Sequence, residues 1–233
     1  MRGEAKGRRV VTATFPQLVL FDLDGTLLDS APDFVATIGV LRSRRGDPPM
    51  MPEMLRPHVS KGARAMIAAA FPALDEGGRE ALVQPFLDVY RQELGKHGAP
   101  FDGVEALLAA IEDAGSRWGI VTNKPEALAR ALMPLLGWDK RCAVLVGGDT
   151  LPVRKPDPAP LLHAARAQNL GAADCAYVGD DERDILAARA AGMPSIAALW
   201  GYRLDSDDPL SWQASSMAEA PADLLDAGAW PRS

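Results

Sequence analysis

The sequence predicts an α/β fold, a Rossmann-like doubly wound parallel sheet core with a small inserted helical cap domain. Three observations carry this expectation. After Pro100, apolar runs of strand length alternate with helical segments nearly to the end of the chain, the pattern of a parallel sheet covered on both faces. An isolated apolar run, Leu18 to Phe21, precedes that region and stops at carboxylates and a glycine, as a buried parallel strand does. Between the two lies a stretch of helical periodicity without a convincing strand, from about Ala31 to Leu94. The first strand therefore belongs with the sheet that resumes later, and the helices are an insertion. The expected division is a core of residues 15–30 and 96–233, a cap of residues 31–95, and a flexible tail at 1–14.

Within the cap, helical segments are expected around Phe34 to Leu41, Ala63 to Phe71 and Arg79 to Leu94, with breaks at Gly46 to Pro52 and Leu74 to Gly78. The core continues with helices near Val104 to Ala114, Glu126 to Leu136, Pro158 to Gln168 and Glu182 to Ala191. The strands between them fall near Trp118 to Thr122, Ala143 to Val146, Ala176 to Gly179 and Ser195 to Leu199. Asp157 before Pro158 is a capping side chain followed by a residue whose missing N–H is not needed there. Gly137, Gly171 and Gly192 are placed to close helices.

Composition narrows the function. Of 233 residues, 48% are apolar and 24% charged, ordinary for a globular chain with a packed core. A formal net charge of -6 argues against broad binding to nucleic acid or anionic lipid, each of which needs a positive field. No apolar stretch reaches the ~20 residues needed to span a bilayer, and the basic start lacks the apolar segment of a secretory signal. Cys142 and Cys175 lie in apolar runs that read as strands, without metal-ligand spacing, and are expected as buried thiols of a reducing compartment. A cytoplasmic protein follows, with the oligomeric state open and a monomer acceptable.

Four strand ends carry polar residues of a consistent kind, and ligands of open parallel sheets bind beyond those ends. The first is Asp22, Leu23, Asp24, Gly25, Thr26, where two carboxylates leave a strand together, although Asp and Gly also make ordinary turns. The second is Thr122, Asn123, Lys124, whose hydroxyl and backbone N–H groups suit phosphate oxygens, or simply start a helix. The third is Lys155 before Pro156, Asp157 and Pro158, a point charge for phosphate, with Arg154 as competitor. The fourth is Gly179, Asp180, Asp181, Glu182, Arg183, Asp184, with more acids than a helix start needs. Hard oxygen ligands of that sort suit magnesium.

FDLDGTLLDS, VTNK, RKPDP and VGDDERDI resemble the four motifs of the haloacid dehalogenase superfamily, and the similarity runs from Leu18 onward. The position of the insertion is similar to the subfamily with a helical cap, which includes phosphoglycolate phosphatases. HVSKGARAMIAAAF, YVGDDERDILAARAAGM and WGYRLDSDDPLSW resemble, more narrowly, N-acetylmuramic acid 6-phosphate phosphatases.

The resemblance implies hydrolysis of a small phosphate ester with magnesium as cofactor. Asp22 would be the nucleophile, forming an aspartyl phosphate, and Asp24 the acid and then the base. Thr122 and Asn123, with Gly25 and Thr26, would hold phosphoryl oxygens, and Lys155 would neutralise charge. The metal would take Asp22, the backbone carbonyl of Asp24 and Asp180, with Asp184, in preference to Asp181, in support. Asp24 also disfavours dehalogenase and phosphonoacetaldehyde hydrolase chemistry, which needs no acid there. A phosphosugar mutase and a non-catalytic binding module are the alternatives.

The cap is where such proteins select the leaving group. Ser60, Lys61, Gly62 and Arg64 form the candidate patch for it, although Lys61 and Arg64 also fit a solvated helix face. Met66, Ile67, Ala70 and Phe71 have helical spacing and are expected in the cap core. His58, His97 and His163 lack neighbours that would make them ligands or bases and are expected to be structural.

Overall fold

The structure is a computed structural model and describes residues 15–231; the expected tail at 1–14 lies outside them. Six strands form one parallel sheet: β1 (Leu18–Phe21), β4 (Arg117–Val121), β5 (Leu145–Val146), β6 (Cys175–Gly179), β7 (Ser195–Ala198) and β8 (Ser216–Ala218), in the order β5-β4-β1-β6-β7-β8. Two short strands, β2 (Leu28–Asp29) and β3 (Ala99–Pro100), pair antiparallel outside it.

Alternation along each strand builds two apolar layers, because successive side chains point to opposite faces. Val19 and Phe21 of β1, with Ala176 and Val178 of β6, face helices α6 (Val104–Asp113) and α7 (Glu126–Leu136). Leu18 and Leu20, with Cys175 and Tyr177, face α8 (Ala159–Ala167) and α9 (Glu182–Ala190). The sheet is doubly wound as expected. After β1 the chain builds toward β4 and β5 and then returns to place β6 on the other side of β1. The end of β1 is thus the point where the winding reverses, the standard ligand position of such sheets.

Between β2 and β3 lie α1 (Ala31–Arg45), α2 (Pro52–Leu55), α3 (Ala63–Ala70), α4 (Glu76–Glu80) and α5 (Val83–Glu93), packed around their own apolar cluster. Met66, Ile67, Ala70 and Phe71 belong to that cluster, as their spacing predicts. The expected single helix from Arg79 to Leu94 is two, α4 and α5. Pro85 explains the division: its ring would clash with the carbonyl of Ala81 in a continuous helix, so it is accommodated in the first turn of a new one.

Two further expectations are corrected. Gly171 does not close α8; it is extended, at φ -86, and Asn169 takes the left-handed conformation instead, at φ 58, which a short polar side chain tolerates. Cys142 lies in the connection before β5 rather than in a strand, and is half-buried. Burial pushes both thiols up to about 11. His97 lies 3.1 Å from Glu93, the last residue of α5.

The two crossings between core and insertion are tied together. β2 leads out and β3 leads back, with Leu28 opposite Pro100 and Asp29 opposite Ala99. Asp33, fully buried in the first turn of α1, accepts the backbone N–H groups of Gly95 and His97 at 2.7 Å and of Gly98 at 3.1 Å. No helix among the described residues is long and apolar enough to cross a membrane. Asp33→Ala orphans three donors at once, so it is expected to lower unfolding free energy by about 3 kcal/mol. A urea transition whose midpoint stays at the wild-type value would refute that account of the crossing.

Candidate active site

The site is built at the end of β1. The ladder carries one step past the strand, with the Asp22 N–H donating to the Val178 carbonyl at 2.9 Å, so Asp22 is fixed to both the first and the fourth motif. Its Oδ1 accepts the Leu23 N–H at 2.7 Å and lies 3.0 Å from Lys155 Nζ. Oδ2 makes no hydrogen bond among the described residues, and Asp22 lines a cleft between core and insertion. One oxygen is held and the other is available.

Asp22, Asp180 and Asp184 bring carboxylate oxygens within 4.8 Å of one another. Lys155 Nζ reaches Asp184 Oδ1 at 2.7 Å and donates to the Tyr177 hydroxyl at 2.7 Å. Burial pushes Asp184 up to about 6, with Lys155 opposing and Asp22 adding to the shift. Asp180 is raised well above the usual carboxylate range by burial and then by the charges of Asp22 and Asp184. Burial works against the Lys155 ammonium, yet the carboxylates of Asp184 and Asp22 hold its pKa above the ordinary lysine value.

Asp180 is enclosed on every side. Thr26 Oγ1 donates to it at 2.9 Å, Ser60 Oγ from the insertion at 2.7 Å, and the Tyr202 N–H at 2.9 Å. Gly25 is at φ +89, and a Cβ there would stand 2.2 Å from Asp180 Oδ2. The structure therefore places Gly25 and Thr26, expected against phosphate, against the Asp180 carboxylate instead, and neither lines the cleft.

Asp24, Thr122, Asn123 and Lys155 all line the cleft with Asp22. The Thr122 hydroxyl accepts the Lys124 N–H at 3.2 Å, and Asn123 Nδ2 donates to the Lys155 carbonyl at 3.0 Å, joining the second and third motifs. Asn123 Oδ1 is buried without a partner among the described residues. Both oxygens of Asp24 accept from Lys124 Nζ, at 3.0 and 3.1 Å.

The insertion closes the other side. Lys61 and Arg64 line the cleft, but their charges meet protein carboxylates: Lys61 lies 2.9 Å from both Asp181 and Asp207, and Arg64 2.7 Å from Glu80. Asp181 stands apart from the three-carboxylate group. It caps α9, accepting the Arg183 N–H at 3.0 Å, and pairs with Arg183 at 2.7 Å. Burial opposes its ionisation, but Arg183 and Lys61 hold it below the usual carboxylate range. Arg183 also donates to the Ser60 carbonyl. Arg154 lines the cleft and makes no ion pair among the described residues.

Sequence reasoning missed Ser60 as a partner of Asp180, Tyr177 as a partner of Lys155, and the segment after β7. There Trp200 Nε1 donates to the Thr26 carbonyl at 2.9 Å, and the Tyr202 hydroxyl donates to Asp29 at 2.6 Å. WGYRLDSDDPLSW was a recognisable pattern, but nothing in it names the loop it clasps.

The three carboxylates suit a divalent cation: among the described residues only the Lys155 ammonium pairs with them, leaving two negative charges uncompensated when all are ionised. The oxygen-only donor set is that of a hard ion.

A parallel α/β sheet with this cluster at its winding reversal defines a class, and the comparisons agree. The sequence model for haloacid dehalogenase-like hydrolases matches residues 19–198, and the chain belongs to that family. Within it, the chain is 62% identical over 218 residues, 94% of its own length and 99% of the relative's, to a phosphoglycolate phosphatase of Xanthomonas campestris. It is 45% identical over 209 residues to an N-acetylmuramic acid 6-phosphate phosphatase of Pseudomonas aeruginosa, covering 89% of this chain and 92% of that one. A crystal structure described as a predicted phosphoglycolate phosphatase from Haemophilus somnus superposes with a TM-score of 0.80 at 26% identity, covering 91% and 97% of the two chains. The chain is accordingly a phosphatase, and the phosphatase relatives favour hydrolysis over the mutase alternative.

Gly25→Ala is expected to lower stability by about 2 kcal/mol, because its backbone conformation disfavours any Cβ. By displacing Asp180 it is also expected to cut phosphatase activity on the order of 10²-fold. Wild-type turnover in a folded Gly25→Ala protein would show that the close approach to Asp180 is dispensable.

Proposed function

We propose that the enzyme hydrolyses a phosphate monoester with a sugar-sized leaving group through a phospho-aspartate on Asp22, with N-acetylmuramic acid 6-phosphate favoured over 2-phosphoglycolate. The observation that carries the choice is the cleft itself. Its volume is about 320 Å³, room for roughly ten water-sized groups at ~30 Å³ each. Volume alone does not choose between the two esters; the lining does. One wall is apolar, formed by Phe34, Met66, Val83, Phe86, Leu87 and Leu128, and glycolate has no apolar face to lay on it. A sugar ring does.

In this reading an oxygen of Asp22 attacks phosphorus, the phosphorus–oxygen ester bond breaks, and the departing alkoxide takes a proton from Asp24. Water then attacks the phosphoryl group and gives its proton to Asp24. The bond to Asp22 breaks, restoring the carboxylate and releasing inorganic phosphate. Lys155 screens the repulsion between a dianionic ester and a carboxylate nucleophile, and Thr122 and Asn123 orient the phosphoryl oxygens. Asp22, Asp180 and Asp184, with the Asp24 carbonyl, would hold magnesium, which supplies charge stabilisation to the transferring group. The helical insertion serves as the cap that admits the leaving group, with Lys61 holding it to the core through Asp181 and Asp207. We place the enzyme in the cytoplasm, where unpaired thiols such as Cys142 and Cys175 are stable.

Two measurements test this. The kcat/KM for N-acetylmuramic acid 6-phosphate is expected to exceed that for 2-phosphoglycolate by about tenfold or more; the opposite ranking overturns the substrate choice. Asp22→Asn is expected to lower kcat on the order of 10⁴-fold or more with the fold retained, and a chelator is expected to abolish turnover until magnesium is returned. Turnover that survives either treatment would overturn the chemistry.

A further inference from the structure

The reaction proposed above gives Asp24 a proton to donate and a proton to accept, but gives Lys124 no part. Lys124 nevertheless lines the cleft. It leaves the end of β4 after Thr122 and Asn123, and its side chain is only 3% exposed.

Its partners come from both halves of the protein. From the core, Asp24 presents both carboxylate oxygens, at 3.0 and 3.1 Å. From the insertion, the Tyr90 hydroxyl of α5 accepts a hydrogen bond from Nζ. The ring faces of Tyr90 and of Phe34 in α1 lie 4.6 and 5.0 Å from the same ammonium, close enough for cation–π attraction. Phe34 and Tyr90 stack on each other at 4.2 Å, with their planes 16° apart. A buried ammonium is costly unless its donors are met. Here a core carboxylate meets them on one side and two insertion aromatics enclose the other.

Asp24 depends on this contact more than Lys124 does. Among the described residues its carboxylate accepts from no other side chain. Lys124 fixes where those oxygens point, and Tyr90 and Phe34 fix where Lys124 points.

We propose that Lys124 is a positioning residue for Asp24, and that the insertion supplies half of its socket. Seating α1 and α5 therefore aims the acid–base group as well as enclosing the substrate. This inference rests on the acid–base role assigned to Asp24 above.

The test uses two esters and rapid mixing. Lys124→Met keeps most of the stem and removes the ammonium, while Tyr90→Phe keeps the ring and removes only the hydroxyl; thermal unfolding checks that both fold. On an alkyl phosphate, Lys124→Met is expected to lower kcat about 10²-fold or more. Its KM should stay within about threefold, the pattern of a group that acts in the transition state. The nitrophenolate of p-nitrophenyl phosphate departs without needing a proton, so only the second step then depends on Asp24. With that ester Lys124→Met is expected to show a burst of nitrophenolate equal to the enzyme present, followed by slow turnover. Tyr90→Phe should move the same way by about threefold to tenfold.

A rise in KM at unchanged kcat would mean that Lys124 binds the leaving group, and would overturn the proposal. Equal losses on both esters without a burst would also overturn it. If Asp24→Asn leaves kcat at the wild-type value on both esters, the acid–base reading of Asp24 falls and carries this inference with it, an outcome distinct from failure in the Lys124 and Tyr90 variants alone.

Discussion

The structure depends on one buried ammonium. Asp22 and Asp180, at the ends of two adjacent strands, converge with Asp184 from the first turn of α9, an arrangement that like-charge repulsion and desolvation both oppose. Lys155 stands 3.0 Å from Asp22 and 2.7 Å from Asp184, and the cluster holds together around it. The same contact gives Asp22 its asymmetry. Lys155 and the Leu23 N–H both hold Oδ1, so the carboxylate cannot rotate to present either oxygen indifferently. Tyr177 carries the constraint into the sheet: its hydroxyl accepts from Lys155 and donates to the Val121 carbonyl at 2.7 Å. The ammonium is thereby anchored to the strand that delivers Thr122.

Asp180 is stabilised differently, by neutral donors and by close packing. Its partners come from three separate stretches of chain: Thr26 in the first motif, Ser60 in the insertion and Tyr202 after β7. Gly25 and Gly201 let the backbone come close enough, since a Cβ on either would stand 2.2 Å from an Asp180 side-chain atom. A residue held from three directions moves little, which is what a ligand set requires if it is to select an ion by geometry. It also makes Asp180 the place where the position of the insertion is felt inside the site.

How much of this was legible follows from where each signal resides. Strand periodicity and the alternation of strands with helices are local, so the parallel sheet and its winding could be read from runs such as Leu18 to Phe21 and Ala176 to Gly179. The acidic groups after those strands were legible because Asp180 to Asp184 contains more carboxylate than a helix start uses. Long-range partners were not. Ser60 is an unremarkable serine until folding brings it 2.7 Å from Asp180 across 120 residues, and Tyr202 gives no sign that its N–H serves the same carboxylate. Lys61 and Arg64 looked like free cations because sequence shows charge without pairing; Asp207 and Glu80, their partners, lie too far along the chain to be matched by spacing. The division between α4 and α5 was legible in principle, since Pro85 carries it, but the apolar periodicity on either side masked it.

The last step concerns the insertion as a physical object. Its apolar cluster is completed by Leu128 from α7 and Tyr202 from the loop after β7, both residues of the core. Lifting α1 and α5 away would expose those side chains together with Phe34, Phe86 and Tyr90, and exposing a large side chain costs about 1.5–3 kcal/mol. The same movement would break the Ser60 and Lys61 contacts to Asp180 and Asp181. Opening is therefore opposed by apolar burial and by polar pairing at once. Because β2 pairs with β3 and Asp33 binds the returning segment at Gly95 and His97, the two crossings move as a unit. The insertion then has one well-defined seated position, and the groups that complete the cleft from its side, Ser60, Lys61 and Tyr90, arrive together or not at all.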